Sequence, residues 1–197
     1  MKFCKQKFFL ALATLFSLFV TLTSEASDRL SVHIKTETRR GDTSQITEAQ
    51  SEKFLTHYEK NNFNRTPRFD ETVAFCKLLA ENSPMLTFTT IGKTPQGRDI
   101  PFLILDRDGL TNPGDIRAKG RVIVLAEAAI HAGEPDGKDA GLMLIRDIAI
   151  FGKYPGILDN VTFLFIPIIN PDGHEDFGTH YRINQNGPEE VGARFTS

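Results

Sequence analysis

Two apolar runs that do not alternate, at residues 121–126 and 161–169, flank a helical pattern over residues 136–151. Unbroken apolar runs belong to strands covered on both faces, as in parallel sheets. Strand, helix, strand in that order predicts a βαβ unit with parallel pairing and a right-handed crossover. Gly141, Leu144, Ile145 and Ile148 share one face of the helix, and Gly152 and Pro155 end it. Upstream, residues 86–91 alternate and are rich in β-branched side chains. Residues 99–105 return after the turn Gly92-Lys-Thr-Pro-Gln-Gly97, which predicts a hairpin. A hairpin beside a parallel unit makes an α/β fold: a mixed β-sheet with flanking helices.

Two further helices precede the hairpin. Residues 46–60 place Phe54, Leu55 and Tyr58 on one side, and residues 70–81 form a second helix stopped by Asn82-Ser83-Pro84. Residues 61–68 and 106–119 read as loops, the latter punctuated by Asn112-Pro-Gly114. Everything after Asn170 also reads as loop, with Gly173, Gly178, Asn184, Asn186, Gly187 and Pro188 and no closing element before Ser197.

A chain of 197 residues holds one domain with a real core. A net charge of -2 predicts no general affinity for nucleic acid or anionic membranes. At the N-terminus, Lys2, Lys5 and Lys7 precede an apolar stretch over residues 8–22, and Ser24-Glu25-Ala26 has the small residues a signal peptidase reads. Residues 1–26 are therefore expected to be a cleaved signal peptide, with a secreted or periplasmic product. The alternative is a membrane anchor. The run is short for a span of about 20 residues, so no stable membrane insertion is expected after cleavage. Residues 27–45 are polar and read as a flexible leader, leaving 46–197 as the folded domain. Cys4 lies in the signal, so Cys76 is left alone, without a disulfide, as a packed thiol.

The chemistry lies where the first apolar run opens into a loop. His131 and Glu134 stand three residues apart, with Gly133 between them to let the backbone turn. Zinc accepts both an imidazole and a carboxylate, and strand ends are where α/β sheets build sites. His-x-x-Glu alone supports two readings, a metal pair or a capped helix start with an incidental histidine.

The wider pattern narrows this. His131-Ala-Gly-Glu134 follows one apolar strand, Asn170-Pro-Asp-Gly173 follows the next, and Tyr181-Arg182-Ile-Asn184 comes after. With the hairpin from Ile91 through Arg98 to Ile100, these motifs resemble the carboxypeptidase A-like zinc carboxypeptidases, over roughly residues 66–187. The resemblance implies Zn2+ as cofactor, His131 and Glu134 as its ligands, and Arg182 as the catalytic arginine that polarises the scissile carbonyl and steadies the oxyanion. The structural alternative for Arg182 is a loop arginine paired with Glu189 or Glu190. Asn170-Pro-Asp-Gly173 reads as architectural, with Asp172 holding its loop. His174 and His180 read as loop histidines, His57 as solvated on a helix, and His33 as part of the leader.

In that family the third zinc ligand, the Asn-Arg pair that grips the substrate carboxylate, a substrate-side tyrosine and the general-base glutamate lie further along the chain than Ser197. The resemblance therefore implies the N-terminal part of a catalytic domain, truncated on its C-terminal side and inactive alone. The complete enzyme would be an exported metallocarboxypeptidase hydrolysing C-terminal peptide bonds, with a peptide or protein C-terminus as substrate. The rivals are an aspartoacylase- or desuccinylase-like zinc amidohydrolase, and a non-catalytic exported binding module.

Overall fold

The structure is a computed structural model, and it describes residues 48–181 and 187–194. The expected signal peptide and leader lie outside the described residues. The elements run α1 (Glu48–Lys53), α2 (His57–Lys60), α3 (Phe69–Glu81), β1 (Leu86–Lys93), β2 (Asp99–Leu105), α4 (Pro113–Ala118), β3 (Val122–Glu127), α5 (Asp136–Ala149), β4 (Val161–Ile166), α6 (Pro171–Glu175), β5 (Phe177–Gly178) and β6 (Val191–Gly192).

Four strands form one sheet in the order β1-β2-β4-β3. β1 and β2 are the expected hairpin, antiparallel with Leu86 opposite Leu105. β2 and β4 are antiparallel, while β3 and β4 run parallel from Val122 opposite Val161 to Glu127 opposite Ile166. The fold is α/β, a mixed sheet with flanking helices. These directions bring the hairpin tip and the C-terminal ends of β3 and β4 to one end of the sheet.

Leu103, Leu105 and Phe165 on the sheet meet Cys76 and Leu79 of α3 and Leu142, Ile145 and Ile148 of α5. Each fully buried Leu or Ile there contributes about 1.5–3 kcal/mol. Gly141 allows α5 to approach β4 closely, since a Cβ at that position would lie 2.3 Å from the Phe165 ring. Leu144 instead turns outward, so the buried stripe of α5 is set by Leu142 and Ile145. At the end of the sheet opposite the hairpin tip, the buried Asp106 accepts from Arg121 Nη1 at 2.8 Å and from Thr162 Oγ1. That cluster pins the starts of β3 and β4 to the end of β2.

Several local expectations change. The predicted helix over 46–60 is two helices, because Thr56 caps α2: its hydroxyl accepts from Glu59 N and its own N–H donates to Glu59. Asn112-Pro-Gly114 starts helix α4 instead of marking a loop, with Asn112 Oδ1 accepting from Gly114 N at 2.8 Å. The segment after Asn170 holds α6 and the β5–β6 ladder. β3 was expected to be buried on both faces. Among the described residues it is an edge strand, with Val122 62% and Leu125 51% exposed, because only β4 lies beside it.

Candidate metal centre

Beyond β3, the Ala128 amide donates to Ile166 O at 2.9 Å and the Ile169 amide to Ala128 O at 3.0 Å. These bonds carry the parallel pairing past the strand ends and seat the loop that follows. Ala129 then takes a left-handed φ of 52° and turns the chain out of the sheet. Non-glycine residues rarely adopt this conformation. Ala132 and Gly133 are buried, which fixes the loop backbone, while His131 and Glu134 turn their side chains partly into solvent.

The Glu134 amide donates to His131 O at 2.8 Å, closing a tight turn. His131 Nδ1 lies 3.1 Å from Glu134 Oε2, with the two side chains 40% and 38% exposed. The rival reading, a capped helix start, finds no support. The residue at the α5 N-cap is Pro135, and no side chain caps the helix there. Two donors at zinc bond lengths of about 2.0–2.2 Å in tetrahedral geometry stand a little over 3 Å apart, so the His131–Glu134 spacing and donor chemistry fit zinc. Among the described residues, no group of three or more His, Cys, Asp or Glu side chains converges on one point. His131 and Glu134 thus stand as a pair of candidate donors, and among the described residues neither His174 nor His180 joins them.

Arg182 lies outside the described residues. A different guanidinium reaches the pair: Arg194 Nη1 stands 3.7 Å from Glu134 Oε1. β6 delivers it, pairing with β5 and hydrogen-bonding α6 through Ala193 N to Gly173 O at 2.8 Å. Gly192 is required for this approach, because a Cβ there would come within 2.7 Å of His174 Cα. Arg194 is not legible in the sequence, because it follows a Gly- and Asn-rich segment that carries no periodicity.

The Asn-Pro-Asp-Gly turn holds more than its own loop. Asp172 Oδ1 accepts from Thr94 Oγ1 at 2.8 Å and from Arg98 Nη1 at 2.7 Å, and Oδ2 from the Gln96 amide at 3.2 Å. Burial pushes the Asp172 pKa up, but the bonds from Arg98, Thr94 and Gln96 outweigh it and hold the carboxyl below its ordinary value. Asn170 Nδ2 donates to Ile130 O at 3.2 Å. Behind Glu134, the buried Lys138 ammonium donates to Thr66 Oγ1 at 2.7 Å and Pro67 O at 3.1 Å, and Thr66 Oγ1 donates to Asp139 Oδ2 at 2.7 Å. This ring ties the first turn of α5 to the loop before α3.

His180 is an exposed loop residue as expected, while His174 and His57 correct the sequence expectations. His174 is fully buried in α6 and not in a loop, with Nδ1 3.1 Å from Glu175 Oε1. His57 pairs with Glu71 at 3.1 Å. It lines a cleft of about 570 Å³, with Arg65, Arg68, Glu71 and Phe177, that includes neither His131 nor Glu134. Cys76 is a buried free thiol whose pKa burial pushes up to about 12, which makes it inert.

The model of the zinc carboxypeptidase family matches residues 72–193. Carboxypeptidase 2 of Trichophyton rubrum is 29% identical over 112 residues, covering 54% of this chain and 20% of that protein. Carboxypeptidase B of Astacus astacus is 28% identical over 127 residues, covering 64% of this chain and 39% of that protein. An inactive metallocarboxypeptidase of Ajellomyces capsulatus is 35% identical over 107 residues, covering 52% of this chain and 17% of that protein. The solved carboxypeptidase A of Helicoverpa armigera superposes with a TM-score of 0.49 at 21% identity, covering 65% of this chain and 33% of that one. The matched stretch thus spans about a sixth to two fifths of these relatives' length. On the match over residues 72–193, the chain belongs to the zinc carboxypeptidase family.

Proposed function

We propose that this chain serves an exported zinc metallocarboxypeptidase that hydrolyses the C-terminal peptide bond of peptides or proteins, and that it contributes His131 and Glu134 as two of the zinc ligands. The observation that carries this is the convergence of His131 Nδ1 and Glu134 Oε2, 3.1 Å apart at the end of β3. Zinc, when bound, supplies Lewis acidity toward a scissile carbonyl and makes water acidic near neutral pH. His131 would hold the ion through a ring nitrogen and Glu134 through its carboxylate. Arg194 brings a cation to the same corner, where it would stabilise negative charge developing on a substrate carbonyl oxygen. Arg182, expected in that role, competes with Arg194 for it. Export follows from the signal expected over residues 1–26, and among the described residues no helix is long and apolar enough to cross a membrane.

The test is zinc binding by the whole chain, read by competition with a chromogenic chelator, with H131A and E134A as variants. Weaker zinc binding in both variants than in the unsubstituted chain supports the assignment; unchanged affinity in either refutes it. Activity on N-blocked dipeptides against N-acyl amino acids separates a carboxypeptidase from a zinc amidohydrolase. R182Q and R194Q then identify the arginine that lowers kcat. A second reading, a binding module that keeps the fold without the chemistry, is supported by likeness to a relative named as inactive. A wild-type chain that binds peptide C-termini but no zinc would establish it.

A further inference from the structure

Asn170 has two different grips. Its Oδ1 accepts from the Gly173 amide at 3.0 Å and caps α6. Its Nδ2 donates to Ile130 O at 3.2 Å, across from the end of β4 to the loop after β3. Ile130 O belongs to the peptide plane that ends in the amide of His131. Because that plane is rigid, fixing the carbonyl fixes the direction in which the chain enters His131.

Among the described residues, little else holds this plane. The Ile130 side chain is 63% exposed and supplies no packing anchor. One residue earlier, Ala129 is kept at a left-handed φ of 52°. Such a conformation persists only where the surroundings over-determine it. On one side it is held by the bonds of Ala128 to Ile166 and Ile169; on the other, by Asn170 on Ile130 O. Release of the second grip lets Ala129 relax toward the ordinary right-handed region, and the His131 ring moves with it. A metal ligand needs placement within about 0.5 Å.

Taking His131 as a metal ligand, as proposed above, we infer that Asn170 is the positioning residue for it: one amide side chain couples the cap of α6 to the backbone orientation of the His131 loop. Asp172, in the same turn, serves the hairpin instead and has no part in this coupling.

The decisive variants are N170D and N170S, studied in the full chain. Each keeps an oxygen acceptor for the Gly173 amide, so the α6 cap survives. Each lacks the N–H donor for Ile130 O. D172N is the control that disturbs the same turn through the hairpin. Three measurements are made: zinc affinity by chelator competition, the visible spectrum of the Co2+-substituted chain, and amide hydrogen exchange at residues 129–134. Both Asn170 variants should bind zinc about 10- to 100-fold more weakly, the usual effect of losing a bond that orients a ligand. They should also shift the Co2+ bands and speed exchange at 129–134. D172N should speed exchange at residues 94–98 and leave 129–134 and zinc affinity at wild-type values. Wild-type zinc affinity and exchange at 129–134 in both Asn170 variants would overturn the inference, as would an equal loss of affinity in D172N. If wild type and H131A bind zinc equally, the metal assignment fails by itself. Exchange at 129–134 then decides: faster exchange in the Asn170 variants sustains the coupling to the loop, and unchanged exchange ends it.

Discussion

Asp172 Oδ1 sits 2.7 Å from Arg98 Nη1, so the turn after β4 grips the tip of the β1–β2 hairpin. Two motifs far apart in the chain thereby hold one another. D172N keeps one acceptor but loses the charge that draws Arg98, and hydrogen bonds to charged groups contribute about 1.5–3 kcal/mol. Urea unfolding should show D172N about 2 kcal/mol less stable. The sign with pH follows from the depressed folded-state pKa. The stabilisation from Asp172 is complete above the ordinary aspartate value of 3.8 and is lost as pH falls through the lower folded-state value. The acid limb of the stability profile should therefore be shallower in D172N.

Lys138 is completely buried 3.1 Å from Asp139 Oδ1. Burial pushes its pKa down, while Asp139 opposes that shift and favours the charged form. K138M removes the cation and strands a buried carboxylate, which costs about 3–5 kcal/mol when one partner of such a pair is deleted. K138M should lower the thermal midpoint sharply, and adding D139L should recover most of the loss, since an apolar pair of similar volume is often neutral.

Ala129 at φ 52° carries a strain that glycine does not. Relief of about 1–2 kcal/mol, set against about 0.5–1 kcal/mol of added chain entropy, predicts that A129G is more stable than wild type. Chemical denaturation checks this. The same change should loosen the His131 loop, seen as faster amide exchange at residues 130–134.

His174 and Glu175 give the stability profile two acid steps. Burial lowers the His174 pKa below 6.5 despite the hydrogen bond to Glu175. The unfolded chain then takes up the proton first, so stability is constant above pH 6.5 and declines as pH falls toward the folded-state value. For Glu175, burial pushes the pKa up, but His174, the Phe69 amide and Arg68 outweigh it and hold it at about 2. Its contribution is complete above 4.5 and fades down to about 2. H174Q, neutral at every pH, should abolish the upper step and keep the lower one in urea midpoints measured from pH 8 downward.

The hairpin, the parallel βαβ pair and α5 were legible because each rests on a local pattern: alternation, an unbroken apolar run or helical spacing. The proximity of His131 and Glu134 was legible because only three residues of sequence separate them; their proposed role rests on the resemblance. The segment after Asn170 was not. Its glycines and asparagines read as loop, yet α6 and the β5–β6 ladder form there on long-range partners, including the Ala193 amide on Gly173 O. His174 shows the limit most clearly. Nothing adjacent to it predicts burial, to which Phe177 and the close approach of Gly192 contribute.

Sequence alone determined the order of the four main strands and the helix between β3 and β4, the mixed character of the sheet and two candidate zinc donors, because each rests on a local pattern. Tertiary structure decided the long-range contacts: Asn170 on the carbonyl of Ile130, Arg194 against Glu134, Asp172 on the hairpin, and Lys138 in its buried ring. These contacts join segments tens of residues apart. They form only once the sheet has set its strand order and the helices have docked on it, and no local periodicity encodes them.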